Sequence, residues 1–401
     1  MVVTPLMWKS LDNFTIYFGY MWPCPFEWDR KNQKFQFTPF SKKLIPWVGA
    51  LISASMVSLL CILLVLGQIY GRIFLPIVPL ILSVMNVLFA TFVSFEFATL
   101  FYTQHFAIGF NFLKGMEAEM TEGTISTNRE KSPPKFDMLG TALNNIVLTY
   151  STFPFTLIGF GLYAELDPVF LTLEHFPSSP HPLISTSAWK YILLLPLRIL
   201  VNTPSAMQTS RILALAICTC AVALHLILGV ISALNRSPIS LNLARARLNL
   251  THYTHLNVIM AMFYDTFSCG LALTLSAGFV ICVGFNFVTI KLYRIIPMPL
   301  FAFYPMGAVL VSVVIAVVLP IVIEVYESSK PLGEKWELQL ASSVKMEEVK
   351  WIRKRIRSIR PLKVFAGLFG TNFFFLEMAT KGSYYASIVD YTISALLSIN
   401  I

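Results

Sequence analysis

The C-terminal stretch RPLKVFAGLFGTNFFFLEMATKGSYYASIVDYTISALLSINI, from Arg360 to Ile401, decides how the rest of the chain is interpreted. A basic cluster precedes it, Lys381-Gly382 interrupts its apolar body, and its second apolar piece carries one acid, Asp390. A carboxylate at bilayer depth costs a few kcal/mol on insertion scales. We therefore expect Asp390 to face water or the interior of a helix bundle and not lipid.

The composition is that of a membrane protein. Of the 401 residues, 56% are hydrophobic, and the mean hydropathy is +0.68, which is more apolar material than a soluble core can bury. Charged residues make up 13% of the chain, with a net charge of +9. In a polytopic protein such an excess reflects cytoplasmic loops, so we expect no nucleic-acid partner.

A bilayer-spanning helix needs about 20 mostly apolar residues. Seven windows of the sequence meet this requirement, at 44–70, 73–101, 139–162, 212–234, 257–290, 300–326 and 364–399. We expect an all-α membrane protein with a cytoplasmic arm over 1–43 and one seven-helix domain over 44–401. The apolar piece 189–201 contains Pro196 and Arg198 and is interpreted as a loop or interfacial segment, although counting it would give eight spans.

The distribution of Lys and Arg predicts the orientation. Of the 30 basic residues, 23 fall in the N-terminal arm and the second, fourth and sixth connections, against 5 in the other connections. By the positive-inside rule the amino terminus is cytoplasmic and the carboxyl terminus extracellular. All three N-x-S/T sequons, at Asn13, Asn235 and Asn249, then lie in the cytosol, where no glycan is added.

The segment 330–363 has the pattern of a cytosolic amphipathic helix. Apolar residues such as Trp336, Leu340, Ile352 and Ile356 recur at helical spacing among basic residues. We expect this helix to pack in an intracellular base, where helices project below the membrane. A calmodulin-like partner is the alternative. The region 364–401 is then the last helix.

Enzymatic and metal chemistry find no support in the sequence. No GxSxG, HExxH, P-loop or GxGxxG context is present, and His252 and His255 have no third ligand nearby. We therefore expect no enzyme, no metal and no cofactor. Glu377 and Lys381 have the i,i+4 spacing of an ion pair within the last helix.

The C-terminal motif resembles that of a known receptor family. Ser383-Tyr384, the five residues 385–389 and Asp390-Tyr391 resemble the Thr-Tyr pair, five mostly apolar residues and Gln-Phe pair that end the last helix of arthropod gustatory receptors. These receptors are relatives of the insect odorant receptors, and Arg360-Pro361-Leu362 resembles their approach to the same helix. This chain departs from the pattern by carrying Asp390 where the family has Gln.

The resemblance implies a ligand-gated, non-selective cation channel assembled as a homo-tetramer, or as a hetero-tetramer with a related receptor. Intracellular helix ends hold the four subunits together in that family, and the motif-bearing half of the last helix lines the pore. Four copies would then place four Asp390 carboxylates around one axis, with an aliphatic neighbour as the gate. The candidate pore and gate residues are Ser383, Tyr384, Ile388, Val389, Asp390, Tyr391 and Ile393.

A tastant or odorant arrives from outside, so we expect its site in the outward half of the subunit. Aromatic residues concentrate there and suit a small, mostly apolar molecule, with a few polar groups for orientation. The candidate ligand-binding residues are Tyr150, Phe153, Phe279, Phe285, Asn286, Phe303 and Tyr304.

Two other function classes remain open at the level of sequence. A seven-span receptor that signals through G proteins has the opposite orientation, with an external amino terminus. A secondary transporter is expected to show inverted repeats, which this sequence lacks. The expected location is the plasma membrane of sensory neurons, with membrane lipid and permeating cations as further partners.

Overall fold

A computed structural model describes residues 3–122, 137–175, 188–237, 243–296, 298, 300–341, 348–368 and 370–399. Over these residues the chain is mostly helical, with α1 (Pro5–Tyr17), α2 (Ile45–Ile69), α3 (Ile77–Glu122), α4 (Met138–Tyr163), α5 (Pro168–His175), α6 (Ala188–Arg236), α7 (Leu243–Lys291), α8 (Leu300–Ala341), α9 (Glu348–Arg357) and α10 (Met378–Ser398). The all-α expectation needs one correction, because two antiparallel hairpins are also present. They pair β1 (Phe26–Asp29) with β2 (Lys34–Phe37) and β3 (Phe365–Leu368) with β4 (Thr371–Phe375).

The chain is a multi-pass membrane protein. Within the described ranges, five helical segments are long and apolar enough to cross a bilayer, namely Lys42–Ile69, Met138–His175, Leu194–Arg236, Ala244–Lys291 and Leu300–Leu340. The two remaining expected spans correspond to α3 and α10. The total of seven membrane spans and the sides of the membrane on which the two termini lie therefore remain predictions.

The expectation of a loop at 189–201 is wrong, because α6 runs through it. Pro196 lies inside the helix, and a packed bundle tolerates such a proline when neighbouring groups satisfy the freed backbone. The charge of Arg198 is balanced by Asp167, whose carboxylate lies 2.5 Å from the guanidinium, and both side chains are buried. The partner of Arg198 comes from 31 residues earlier, which no local pattern reveals.

The expected last span, 364–399, divides into the β3–β4 hairpin and the shorter helix α10. Gly367 is needed in the hairpin, because a Cβ there would collide with the carbonyl of Thr371. Gly370 has a φ of 79°, a left-handed conformation that favours glycine. Helix α10 runs unbroken through Lys381-Gly382. The expected Glu377–Lys381 ion pair is absent from the described contacts; Glu377 instead caps the first turn of α10.

The expected single helix over 330–363 is also divided. Helix α8 continues to Ala341, and α9 follows as a separate helix. Trp336 of α8 and Ile352 of α9 are fully buried, and the ring of Tyr253 on α7 lies 6.1 Å from that of Trp336. We call this packed end of the molecule, formed by α1, α9 and the adjoining ends of α3, α7 and α8, the base. Since its apolar face is already covered by the chain itself, α9 does not offer that face to a calmodulin-like partner.

The N-terminal arm is folded onto the bundle. Asn13 of α1 donates to Asn144 of α4 over 2.7 Å. The rings of Trp8 and Trp28 stack 5.7 Å apart, and the ammonium of Lys114 on α3 lies 4.9 Å from the Trp8 ring. The arm therefore belongs to the base and is not a free extension.

Candidate functional site

A cavity of about 1550 Å³ lies between α3, α4, α6, α7 and α8. Most ligand pockets measure about 300–1,000 Å³, so this one exceeds what a small ligand fills. Its lining on α7 extends from Thr266 to Phe285, which corresponds to about 28 Å at 1.5 Å per residue. The cavity therefore follows the helices through most of the thickness of a bilayer.

One end of the cavity is aromatic. Four candidate ligand-binding residues, Tyr150 and Phe153 of α4, Phe285 of α7 and Phe303 of α8, line it. The rings of Phe153 and Phe303 stack with centroids 5.5 Å apart, and Phe285 meets Phe303 edge to face at 5.8 Å. A Cβ at Gly307 would collide with the Phe285 ring, so glycine allows this ring to lie against α8.

Two further candidates lie beside the cavity and not in its lining. Tyr304 is fully buried behind the aromatic end, with ring centroids 5.8 Å from Phe285 and 5.6 Å from Phe303. Its hydroxyl has no hydrogen-bond partner among the described residues. Asn286 is half-buried and adjoins Phe285 in sequence, but it is not one of the lining residues.

Among the lining residues that sequence reasoning missed are Thr219 of α6 and Thr266 of α7. Their hydroxyls are buried and have no hydrogen-bond partner within the described part of the chain. Other threonines in these helices donate to their own backbone, as Thr209 does to the carbonyl of Ser205. An unpaired buried hydroxyl is costly, so both positions can offer a hydrogen bond to a molecule in the cavity.

The cavity opens sideways between α4 and α8. Its lining includes Met306 and Val309 on α8, which are 71% and 64% exposed, and Leu157 on α4, which is 36% exposed. These residues belong to segments that are apolar enough to span a membrane. An apolar molecule dissolved in the bilayer can therefore reach the opening.

The last helix, α10, is fastened to α7 at two points. The hydroxyl of Tyr384 donates to the carbonyl of Leu275 over 2.8 Å, and the ammonium of Lys291 donates to the carbonyl of Leu396 over 2.8 Å. Phe279, the remaining ligand-binding candidate, lies in this contact and not in the cavity lining, with its ring 6.3 Å from that of Tyr384. Among the described residues, α10 packs against α7 and α8 through one of its faces.

The opposite face of α10 is exposed in the single chain. Residues spaced by three or four positions share one side of a helix. The exposed residues on this side of α10 are Ser383, Ala386, Asp390, Ile393 and Leu397. The alternative to a pore position is that Asp390 pairs with a neighbouring helix of its own chain, but it has no ion-pair partner in the portion of the chain that the structure describes. A single copy of the protein leaves this carboxylate facing outward.

The remaining pore and gate candidates fall on different sides of α10. Ile388 packs against the buried core of its own chain. Val389 and Ile393 are 55% and 50% exposed, and Tyr391 is exposed while its ring lies 5.4 Å from that of Phe279. Among the aliphatic candidates, Val389 and Ile393 are therefore the ones that face away from the subunit.

Comparison with solved structures identifies a similar fold. The structure of the insect olfactory receptor OR5 from Machilis hrabei matches with a TM-score of 0.61 at 11% sequence identity, covering 98% of this chain and 97% of that chain. The same receptor in complex with eugenol matches with a TM-score of 0.61 at 12% identity, covering 98% of each chain. No family model and no curated protein matches the sequence. The expected resemblance to the arthropod gustatory and odorant receptors is confirmed at the level of fold.

Proposed function

We propose that this chain, which has the fold of an insect olfactory receptor, is a chemosensory receptor that acts as a ligand-gated, non-selective cation channel. A small external tastant or odorant opens it, and cations pass along an axis shared by four copies. The four copies are identical, or include a related receptor. The channel operates in the plasma membrane of sensory neurons.

The exposed face of α10 carries this proposal. Asp390 lies on that face without a described ion partner. A carboxylate turned toward hydrocarbon costs about 2.5–3.5 kcal/mol on insertion scales, whereas one that lines a water-filled path does not bear that cost. When several copies of α10 surround a water-filled path, Asp390 and the aliphatic residues beside it face that path and not lipid. The ring of acids formed in this way attracts cations. Val389 and Ile393 supply the aliphatic constriction.

The cavity between α4, α7 and α8 supplies the ligand site. The aromatic end formed by Tyr150, Phe153, Phe285 and Phe303 suits a small apolar molecule. Thr219 and Thr266 offer hydrogen bonds toward the other end. The chemical class that fits is an uncharged, mostly apolar molecule with a hydroxyl or carbonyl group. The similar receptor solved with eugenol is consistent with such a ligand.

The ligand site and the exposed face of α10 are connected through α7. Phe285 lines the cavity from α7, and Leu275 on the same helix accepts the hydrogen bond of Tyr384. Phe279 lies between these positions and contacts the ring of Tyr384. A ligand that displaces α7 therefore also displaces α10, which gives the channel a direct route from binding to opening.

Currents recorded from cells that express this chain alone test the proposal. A panel of sugars, bitter compounds and volatile molecules is applied, without nucleotide in the recording solution. An evoked cation current supports a channel, and cells expressing the Asp390→Asn variant serve as the matched comparison. A response that depends on G proteins, or ligand uptake without current, would favour a G-protein-signalling receptor or a transporter.

A further inference from the structure

A second, smaller cavity lies in the base, between the start of α7 and the end of α9. Its volume is about 330 Å³, and its lining includes Thr254 and Asn257 of α7 together with Arg355, Ser358 and Arg360 from the end of α9 and the residues that follow it. No acidic residue lines it. Unlike the large cavity, it is mostly polar, carries two permanent positive charges, and is open to the surface, since Arg355 and Arg360 are both exposed.

Neither arginine of this cavity has an ion-pair partner in the described ranges. On the same helix, Arg357 forms an ion pair with Glu337 at 2.8 Å, whereas no carboxylate of the described ranges lies within ion-pair distance of Arg355 or Arg360. Asn257 also lines the cavity, and its amide adds two N–H donors. The cavity therefore presents guanidinium and amide donors, and no carboxylate is among its described lining residues.

We propose that this cavity binds a phosphate-bearing anion, and specifically an inositol phosphate group. Guanidinium groups bind phosphate oxygens with two parallel hydrogen bonds, and two of them neutralise a multiply charged phosphate. The volume of about 330 Å³ is larger than a single phosphate ion needs and is at the low end of ligand pockets, so it suits a headgroup-sized molecule.

The position of the cavity brings both possible sources of this group within reach. Asn257 marks the expected start of the fifth membrane span, so the cavity lies at the membrane boundary. With the proposed orientation this boundary is the cytosolic one, where phosphoinositide headgroups and soluble inositol phosphates both occur. Both sources present the same chemistry to Arg355 and Arg360.

The bound anion would stabilise the connection that leads to α10. The carbonyl of Arg360 accepts a hydrogen bond from the hydroxyl of Tyr253 over 2.6 Å. Two residues later, the amide of Leu362 donates to the hydroxyl of Ser329 over 2.9 Å, and the chain then continues through the β3–β4 hairpin into α10. An anion held by Arg355 and Arg360 joins α9, α7 and this connection. Its effect on opening rests on the proposed channel function; its binding does not.

Binding to the purified full-length protein tests the inference. The probes are inositol hexakisphosphate in solution, and nanodiscs of phosphatidylcholine with or without phosphatidylinositol 4,5-bisphosphate. The test variant is Arg355→Gln with Arg360→Gln. The control variant is Lys350→Gln with Lys354→Gln, which removes the same charge from exposed positions of α9 outside the cavity. The thermal unfolding midpoint of each variant is measured alongside.

We expect at least one probe to bind the unmodified protein. The arginine variant should lose affinity by roughly tenfold or more, as expected for charge-assisted hydrogen bonds, while the lysine variant stays within about twofold. Binding by only one probe identifies the source of the group. Failure of both probes to bind, or equal losses in the two variants, would overturn the inference. If the probes bind with this pattern but no ligand evokes a current, the proposed channel function is rejected and the proposed anion site is retained.

Discussion

Tyr384 on α10 donates its hydroxyl to the backbone carbonyl of Leu275 on α7, across 2.8 Å. Leu275 lies within the apolar part of α7, where few competing donors exist. This hydrogen bond therefore fixes the position of the last helix relative to the helix that also lines the ligand cavity.

Substitution Tyr384→Phe removes this bond and keeps the ring. A typical hydrogen bond contributes about 0.5–1.5 kcal/mol, so the agonist concentration for half-maximal current should change by roughly twofold to tenfold. Tyr385→Phe is the matched control, because its hydroxyl has no hydrogen bond among the described contacts. Equal shifts for the two variants in concentration–response recordings would contradict a coupling role for Tyr384.

The charge of Asp390 should govern permeation. Asp390→Asn removes four negative charges from the axis of a tetramer, so single-channel conductance should fall by roughly twofold or more, and block by divalent cations should weaken. Surface expression should remain intact, because the side chain is exposed and has no ion-pair partner among the described residues. Glu174→Gln, an exposed acid on α5, is the control. Unchanged conductance and unchanged block would remove Asp390 from the pore.

The two unpaired hydroxyls of the large cavity should contribute to ligand recognition. Thr219→Val and Thr266→Val keep the shape of the side chain and delete its hydrogen bond. For an agonist with a hydroxyl or carbonyl group we expect about fivefold weaker apparent affinity in at least one variant, and little change for its hydrocarbon analogue. Thr251→Val, at an exposed threonine that donates to the carbonyl of Arg247, is the control. The hypothesis fails if hydroxylated and hydrocarbon ligands shift alike.

Orientation can be tested by glycosylation. The native sequons at Asn13, Asn235 and Asn249 should carry no glycan, whereas Leu183→Asn creates a sequon with Ile184 and Ser185 in the loop expected outside. The measurement is a mobility shift that is sensitive to glycosidase. The expected result is a shift for the variant only. A glycan on the unmodified protein would place the amino terminus outside and favour a G-protein-signalling receptor.

The sequence predicts the helices well where the signal is a long apolar window. The spans expected at 44–70, 139–162, 212–234, 257–290 and 300–326 each coincide, to within one residue at the ends, with part of a helical segment that meets the membrane criteria. Arg198 shows why prediction fails elsewhere, since its charge suggests a loop until Asp167 is known to neutralise it. The β3–β4 hairpin is missed for a similar reason. Its aromatic residues are apolar enough for a span, and only the backbone of Gly367 and Gly370 reveals the turn.

The candidate site shows the same limit. Aromatic residues such as Phe153 and Phe303 could be selected from the sequence, because large apolar side chains near one end of several helices suggest a pocket. Whether an individual residue faces the cavity depends on helix rotation, which placed Phe279 against α10. Thr219 and Thr266 carried no sequence signal, because the sequence does not show whether a threonine hydroxyl donates to its own helix or has no partner.

The central claim is that copies of α10 turn Asp390 toward a shared aqueous path. The structure of the full-length protein in lipid nanodiscs, determined by cryo-electron microscopy, tests it without knowledge of the ligand. We expect four copies around one axis, with the Asp390 carboxylates facing a water-filled opening and Ile388 packed within each subunit. A single copy, or an assembly in which Asp390 faces lipid or the helices of its own chain, would contradict it.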